Sequence, residues 1–90
     1  MSKHKKGKQF PGTVSIGTAS AITGVEIHTI RYWETEFPDF LCPIRTKGGQ
    51  RRYRAQDIQA IFTVKRLLRD ELYSIAGARK ILQKQHQQAA

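Results

Sequence analysis

Hydrophobic side chains recur at helical spacing in four separate stretches of the chain. The first stretch lies between Ser15, whose hydroxyl is suited to cap a helix, and Gly24, which is suited to end one. The second starts near Glu26 or Ile27 and runs to about Phe37, where the next residue is a proline. Two short helices joined by a turn that contains glycine are typical of a helix-turn-helix.

Two further helices are predicted in the C-terminal half. Asp57 favours the N-terminal turn of the third helix, which an apolar stripe extends to about Glu71, and Ser74 is placed to cap the fourth. Between the second and third helices, Gly48 and Gly49 separate two extended segments, so we expect a β-hairpin that packs on the helices as a wing. This mainly α fold has an expected core of Ile16, Ile22, Val25, Ile30, Trp33, Phe37, Leu41, Ile58, Ile61, Phe62, Leu68, Ile75 and Leu82.

Composition adds a large excess of positive charge to this picture of a small helical domain. The 90 residues include 16 Lys and Arg against 7 Asp and Glu, so the formal net charge is +9. Chains of this size leave little room for an enzyme with a deep cleft, and no apolar run approaches the roughly 20 residues that span a bilayer. A compact domain with this charge favours a polyanionic partner, and nucleic acid is the first candidate.

The charge pattern divides the chain into three expected regions. Residues 1–13 form a basic tail without acidic residues, which we expect to be disordered. Residues 14–82 hold the four helices and the hairpin, so we expect one winged helix-turn-helix domain there. Residues 83–90 are rich in glutamine and are expected to form a C-terminal tail. A second acid-free basic cluster surrounds the hairpin turn and consists of Arg45, Lys47, Arg51, Arg52 and Arg54.

The single cysteine, Cys42, excludes an internal disulfide and a multi-cysteine zinc site. We expect it to fill a small apolar space. His4 and His86 lie in the expected tails without paired ligands, so neither a metal nor another cofactor is expected. Because no apolar segment follows the basic N-terminus, no signal peptide is expected. These features predict a cytoplasmic, nucleoid-associated protein that does not contact a membrane.

The candidate binding residues lie on the second helix and on the hairpin. If the hairpin flanks that helix, the helix fits the major groove of duplex DNA while the wing reaches the phosphates. The polar side chains expected to project away from the apolar stripe of the second helix are His28, Thr29, Arg31 and Tyr32. The basic side chains expected on a solvated face of the third helix, with phosphate contact as the alternative, are Lys65, Arg66 and Arg69.

Short motifs occur in a fixed order along the chain: SIG at 15–17, TGV at 23–25, HTIRYWE at 28–34, GGQRRY at 48–53, DI at 57–58 and YSI at 73–75. In that order they resemble the MerR family of transcription regulators, over most of residues 15–82. The first three are similar to that family's helix-turn-helix. The others are similar to its first wing, third helix, second wing and fourth helix.

The resemblance implies a winged helix-turn-helix that binds duplex DNA as a homodimer at a palindromic operator, with RNA polymerase as a candidate partner. It places His28, Thr29 and Arg31 nearest the bases, and Arg31 and Tyr32 on phosphates. By the same resemblance Arg51 contacts the DNA backbone, and Tyr53 either supports the wing or touches phosphate. The full set of expected DNA-binding residues is His28, Thr29, Arg31, Tyr32, Arg45, Lys47, Arg51, Arg52 and Tyr53.

The sequence also departs from the family pattern. Glu26 stands where a small hydroxyl residue usually caps the second helix, and Ile27 stands where proline is common. Leu72 stands where a glycine is usual before the second wing. Neither the family's long dimerising helix nor a sensor part follows Leu82. Homodimerisation is therefore expected through a segment that is short or lies outside this chain.

Other classes of function are weighed against a transcription regulator. An excisionase-like or architectural factor would bend DNA with the same winged fold and without regulating transcription. An RNA-binding or protein-binding helical module would not need the wing at residues 48–53. An enzyme is not expected, because no nucleophile–base pair and no paired carboxylates beside a histidine occur at motif spacing. Gly48 and Gly49 also lack the following lysine and hydroxyl residue of a phosphate-binding loop.

Overall fold

The fold is described from a computed structural model that covers residues 11–89, with side chains through residue 85. This part of the chain contains four α-helices, one two-stranded antiparallel hairpin and one π-helical segment, which confirms the predicted mainly α, winged helix-turn-helix fold. The elements are α1 (Ile16–Thr23), α2 (Ile27–Glu36), β1 (Ile44–Arg45), β2 (Arg51–Arg52), α3 (Ala55–Lys65), the π-helical segment (Arg66–Asp70) and α4 (Ile75–Ala89).

Both predicted ends of α1 are confirmed by local hydrogen bonds. The Ser15 hydroxyl accepts from the Thr18 backbone N–H at 3.2 Å, which satisfies a free donor of the first turn. At the other end Gly24 takes the left-handed conformation, with φ 74°, and its N–H donates to the carbonyl of Ser20 at 2.8 Å. Glycine reverses the chain there without steric cost, so α2 begins three residues later, after the fully buried Val25.

The hairpin, which we call the wing, consists of β1, β2 and the turn between them. Ile44 pairs with Arg52, and Arg45 pairs with Arg51. Gly49 supplies the positive φ that the turn needs, at 86°. A backbone bridge joins Val14 and Tyr53 through hydrogen bonds of 2.9 and 2.8 Å, so the segment before α1 is tied to the wing.

The third helix has Asp57 in its first turn, as predicted, and differs from the prediction at its C-terminal end. It starts at Ala55, before Asp57, whose carboxylate accepts the backbone N–H of Arg54 at 2.8 Å and so caps the first turn. It does not continue regularly to Glu71, because residues 66–70 are π-helical and the Glu71 N–H donates to the carbonyl of Arg66. Leu72 then adopts a left-handed backbone conformation, with φ 58°, and is 78% exposed.

The core confirms part of the predicted set and corrects the rest. Seven of the thirteen expected residues are buried: Val25, Ile30, Trp33, Phe37, Leu41, Ile61 and Leu82. Four are half-buried: Ile16, Ile58, Leu68 and Ile75. Ile22 and Phe62 are exposed, so their placement in the core was wrong. The buried hydrophobic residues absent from the prediction are Ala19, Tyr53, Ala60, Val64, Leu67 and Ala78.

Helix rotation explains these differences. In α1 the residue that faces the core one turn after Ala19 is Thr23. Its burial leaves no polar group unpaired, because its hydroxyl donates to the Ala19 carbonyl at 2.8 Å. Ile22, one residue earlier, is thereby turned outward. In α3 the buried stripe continues from Ile61 to Val64 at i+3, and Leu67 of the π-helical segment follows at i+6, which leaves Phe62 outside.

The C-terminal helix is joined to α2 by an arginine. Ser74 caps α4 as predicted, because its hydroxyl accepts the N–H of Gly77 at 3.0 Å. Arg79 donates to the Glu36 carbonyl at 3.1 Å and to its carboxylate at 2.8 Å, so α4 satisfies the C-terminal end of α2. The Gln-rich segment expected as a tail continues α4 through Ala89.

Several other expectations meet the structure only in part. Residues 1–10 of the expected basic tail lie outside the described residues. The division of the chain into three regions stays a prediction. Cys42 is exposed, so the expectation that it fills an apolar space was wrong. No helix within residues 11–89 is long and apolar enough to cross a bilayer. The same residues hold no cluster of three or more His, Cys, Asp or Glu side chains suited to a metal ion.

Candidate nucleic-acid interface

The outer face of α2 presents polar side chains at helical spacing. His28, Arg31 and Tyr32 are all exposed and stand at i, i+3 and i+4, whereas Ile30 and Trp33 face the core. Thr29 is half-buried. The helix therefore offers solvent a narrow strip of one cation, one imidazole and one phenol, which is the chemistry expected of a surface that reads hydrogen-bonding groups.

Glu26 begins α2 without making a side-chain cap. Its carboxylate instead lies 3.3 Å from Nε2 of His28, and both side chains are largely exposed. A solvent-exposed pair of this kind contributes little to stability. The departure from the usual hydroxyl cap thus leaves an acidic and an imidazole group side by side at the start of the helix.

Most acidic side chains of the described region are paired with arginines that hold the fold together. Glu34, Glu36, Asp57 and Glu71 each pair with an arginine at 2.8 to 3.1 Å. By contrast, Arg31, Arg45 and Lys47 form no ion pair within residues 11–85 and are all exposed. Both α2 and the wing therefore carry exposed positive charge that no acidic side chain of the described residues neutralises.

One carboxylate joins these two elements. Oε1 of Glu34 accepts from Nε of Arg51 at 2.8 Å, and Oε2 accepts from the hydroxyl of Tyr53. The Glu34 side chain is 9% exposed and that of Arg51 is 19% exposed. We call Glu34, Arg51 and Tyr53 the wing anchor, because together they hold the second strand of the wing and the residue that follows it against α2.

Tyr53 is buried at the junction of the wing and α2. Its side chain is 1% exposed, and its hydroxyl is occupied by Glu34, so a direct contact with phosphate is excluded by burial. Burial, and then the hydrogen bond and negative charge of Glu34, raise the pKa of this hydroxyl well above its ordinary value. Of the two roles considered from the sequence, support of the wing is the one that this geometry favours.

Arg52 also has a structural partner. Its Nε donates to the Thr13 hydroxyl and its Nη2 to the Thr13 carbonyl, each at 3.1 Å. The side chain is half-buried and joins the wing to the segment before α1.

The nine predicted residues differ in exposure. They divide into exposed ones (His28, Arg31, Tyr32, Arg45 and Lys47), half-buried ones (Thr29, Arg51 and Arg52) and the buried Tyr53.

The basic residues after residue 64 are largely occupied within the protein. Lys65 donates to the Thr23 carbonyl at 2.8 Å, and Arg66 pairs with Glu71 at 3.1 Å. The Arg69 guanidinium lies 5.5 Å from the centre of the Trp33 ring, in the range of a cation–π contact. These interactions lower the number of cations available to a ligand and leave α2 and the wing as the main candidates.

Glu34 was not among the predicted site residues, because an acidic side chain is not expected to bind DNA. A signal was present nonetheless. Glu34 stands four residues after Ile30 and three before Phe37, on the buried side of α2. An acidic residue within an apolar stripe requires a partner, and the nearest tyrosine and arginines in the hairpin were the available ones.

Known proteins similar to this chain include two bacterial proteins of greater length. The putative heat shock protein HspR of Streptomyces coelicolor is 32% identical over 74 residues, which cover 82% of this chain and 48% of that protein. The HTH-type transcriptional repressor CarA of Myxococcus xanthus is 33% identical over 67 residues, which cover 73% of this chain and 23% of that protein. The chain thus spans less than half the length of either relative.

A solved structure has a similar fold. It is that of HiNmlR, described as a MerR family regulator lacking the sensor domain, bound to promoter DNA. The TM-score is 0.61 at 21% sequence identity, over 77% of this chain and 53% of that one. The likeness extends across most of the described residues and agrees with the arrangement of helices and wing seen here.

The family assignment rests on a match that covers most of the chain. Residues 14–85 match the family described as MerR HTH family regulatory protein, which confirms the resemblance seen in the short motifs. That family consists of regulators and not of enzymes, in agreement with the expected absence of catalysis. The chain therefore belongs to the MerR helix-turn-helix family of regulatory proteins.

Proposed function

We propose that this chain binds duplex DNA at selected sequences and thereby regulates transcription, with α2 in the major groove and the wing on the phosphate backbone. The observation that carries the proposal is that the wing anchor holds side by side two elements that both carry unpaired, exposed cations. A major groove about 12 Å wide admits a helix, and a flanking wing then lies over the phosphates.

The exposed and half-buried residues of the predicted set receive separate roles in this proposal. His28, Thr29 and Arg31 approach base edges, because they lie near the start of the helix that enters the groove. Tyr32 donates to phosphate from the same helix. Phosphate contacts position the protein and carry no direct sequence information, so the groups assigned to the wing supply affinity: Arg45, Lys47, Arg51 and Arg52.

The relatives support the same assignment. The solved structure with this fold contains promoter DNA, and CarA is a transcriptional repressor. We further propose that the protein acts as a homodimer at a palindromic site and that RNA polymerase is a partner at the promoter. This activity would place it in the cytoplasm at the nucleoid.

Selection of bound fragments from a pool of random duplex DNA tests the proposal. We expect a defined sequence to emerge, and a palindrome would support binding as a dimer. The R31A variant should lose roughly tenfold or more in affinity for the selected site, since a base contact of this kind contributes about 1–3 kcal/mol. It should lose less on random DNA.

The K80A variant provides the matched control, because Lys80 is exposed on α4 and forms no ion pair within residues 11–85. Its substitution removes the same charge from a part of the chain outside the proposed interface. Equal losses for R31A and K80A would show that binding depends on total charge alone. Equal affinity for selected and random duplexes would instead favour the architectural, DNA-bending alternative.

A further inference from the structure

We propose that Glu34 is a positioning residue for DNA binding: its carboxylate holds Arg51 and the wing in the orientation in which they meet phosphate. This inference rests on the proposed function and adds to it a residue that does not itself touch DNA. Two independent bonds carry it, because Oε1 accepts from Arg51 and Oε2 accepts from Tyr53.

The geometry of the wing anchor restricts both position and rotation. Arg51 lies on β2 and Tyr53 directly follows that strand, so their contacts fix two points of this segment relative to α2. A two-stranded hairpin is at best marginally stable by itself and needs such support. Because Glu34 stands three residues after Arg31 on the same helix, the wing and the proposed reading side chains share one frame.

The negative charge of Glu34 is unusual for a surface that is proposed to bind DNA. A carboxylate beside a surface that binds a polyanion repels the ligand, and Glu34 is one of only 7 acidic residues in a chain with a formal net charge of +9. Glu34 is shielded in part by burial and fully engaged by two donors, so its charge serves Arg51 and Tyr53. The two hydrogen bonds that Glu34 accepts thus give its charge an orienting role, which offsets the electrostatic cost of an acidic group at this place.

The Arg51 guanidinium has enough N–H donors to bind the Glu34 carboxylate and a DNA phosphate at the same time. A guanidinium carries five N–H donors in a fixed fork, and Glu34 receives only the one on Nε. Neither Nη atom of Arg51 donates to a protein group within residues 11–85, although the side chain is only 19% exposed. The two Nη groups are therefore left for phosphate oxygens while Nε remains bound to Glu34.

The E34Q variant, compared with E36Q, tests this role. Glu36 lies two residues further along α2 and also pairs with an arginine at 2.8 Å, but that arginine is Arg79 on α4. Both substitutions remove one negative charge. We expect E34Q to weaken duplex binding by about fivefold or more, because the neutral amide keeps one acceptor oxygen where the carboxylate offers two, to Arg51 and to Tyr53. E36Q should bind as the wild type or slightly tighter.

The salt dependence separates positioning from stability. If Arg51 loses its orientation in E34Q, one phosphate contact is lost and the log–log salt slope should fall by about 0.9. A Glu34 that only stabilises the fold would change the melting temperature and leave this slope unaltered. In a double-mutant cycle, E34Q should cost clearly less in the R51A background than in the wild type, because the shared contact is already gone.

The R51K variant keeps the test decisive if E34Q does not fold. Lysine retains the charge but lacks the fork that holds two acceptors in fixed geometry, so we expect R51K to bind as weakly as R51A. R51K with wild-type affinity, or E34Q that binds as tightly as E36Q, would overturn the positioning role while DNA binding itself stands. A wild-type chain that binds no duplex would overturn the proposed function, and with it this inference.

Discussion

The side-chain ammonium of Lys65, the last residue of α3, donates a 2.8 Å hydrogen bond to the backbone carbonyl of Thr23, the last residue of α1. This bond satisfies one of the carbonyls left free at the end of a helix. It also places a positive charge at the negative end of the helix dipole. The first and third helices are thus joined at the point where the chain turns into α2.

Replacement of Lys65 by methionine should lower the free energy of unfolding by about 1 kcal/mol, because a cation near a helix C-terminus and its hydrogen bond are both lost. Methionine keeps the unbranched aliphatic stem and is shorter than lysine by the terminal nitrogen alone, so packing changes little. Urea unfolding followed by circular dichroism measures the loss. K80M is the control, since Lys80 is exposed on α4, and equal stability of the two variants would contradict a capping role.

The left-handed conformation of Leu72 makes a second prediction. Replacement by glycine should raise the free energy of unfolding by about 1 kcal/mol, because a residue with a Cβ pays roughly 1–2 kcal/mol there and glycine does not. Leucine at 78% exposure gives up little buried area in exchange. L72A retains the Cβ and its strain, so thermal unfolding should place it near the wild type. L72A as stable as L72G would refute the explanation by backbone strain.

The raised pKa of Tyr53 predicts how stability changes in alkaline solution. An unfolded tyrosine loses its proton near pH 10, whereas the folded protein keeps this one, so the unfolded state binds fewer protons above that pH. Stability should therefore fall by up to about 1.4 kcal/mol per pH unit above pH 10, in addition to other titrations.

The Y53F variant isolates this contribution, because it removes the hydroxyl and leaves every other titrating group. The stability advantage of the wild type over Y53F should be constant from pH 7 to about pH 9 and should shrink above pH 10. Urea unfolding of both proteins at each pH gives the difference. An advantage that stays constant to pH 11 would mean that Tyr53 titrates alike in the folded and unfolded chains.

The elements of this fold follow from local chemistry. Ser15, Gly24 and Ser74 mark helix ends through hydrogen bonds within four residues, and such interactions can be inferred from spacing alone. The glycines of the wing act in the same local way, through a positive φ at Gly49. Features of this kind account for the correct order of helices and strands.

The errors arise where a side chain depends on a distant partner. Rotation of α3 by part of a turn exchanged Phe62 for Val64 in the core, and only packing against other helices decides this. Tyr53 and Lys65 were both considered as contacts of a ligand, but their partners lie 19 and 42 residues away in sequence. When the hydrogen-bond partner of a polar side chain is distant in sequence, the sequence alone does not show that the side chain is already occupied within the protein.

Helix α2 separates its exposed polar side chains from its wing-holding carboxylate by burial. His28, Arg31 and Tyr32 are exposed, whereas Glu34 is directed to Arg51 and Tyr53. Substitutions among the exposed positions leave the wing anchor untouched, so the surface can be altered without rebuilding its support. Because of this separation, new recognition preferences can evolve or be engineered on the exposed residues of α2 while the residues that hold the wing stay unchanged.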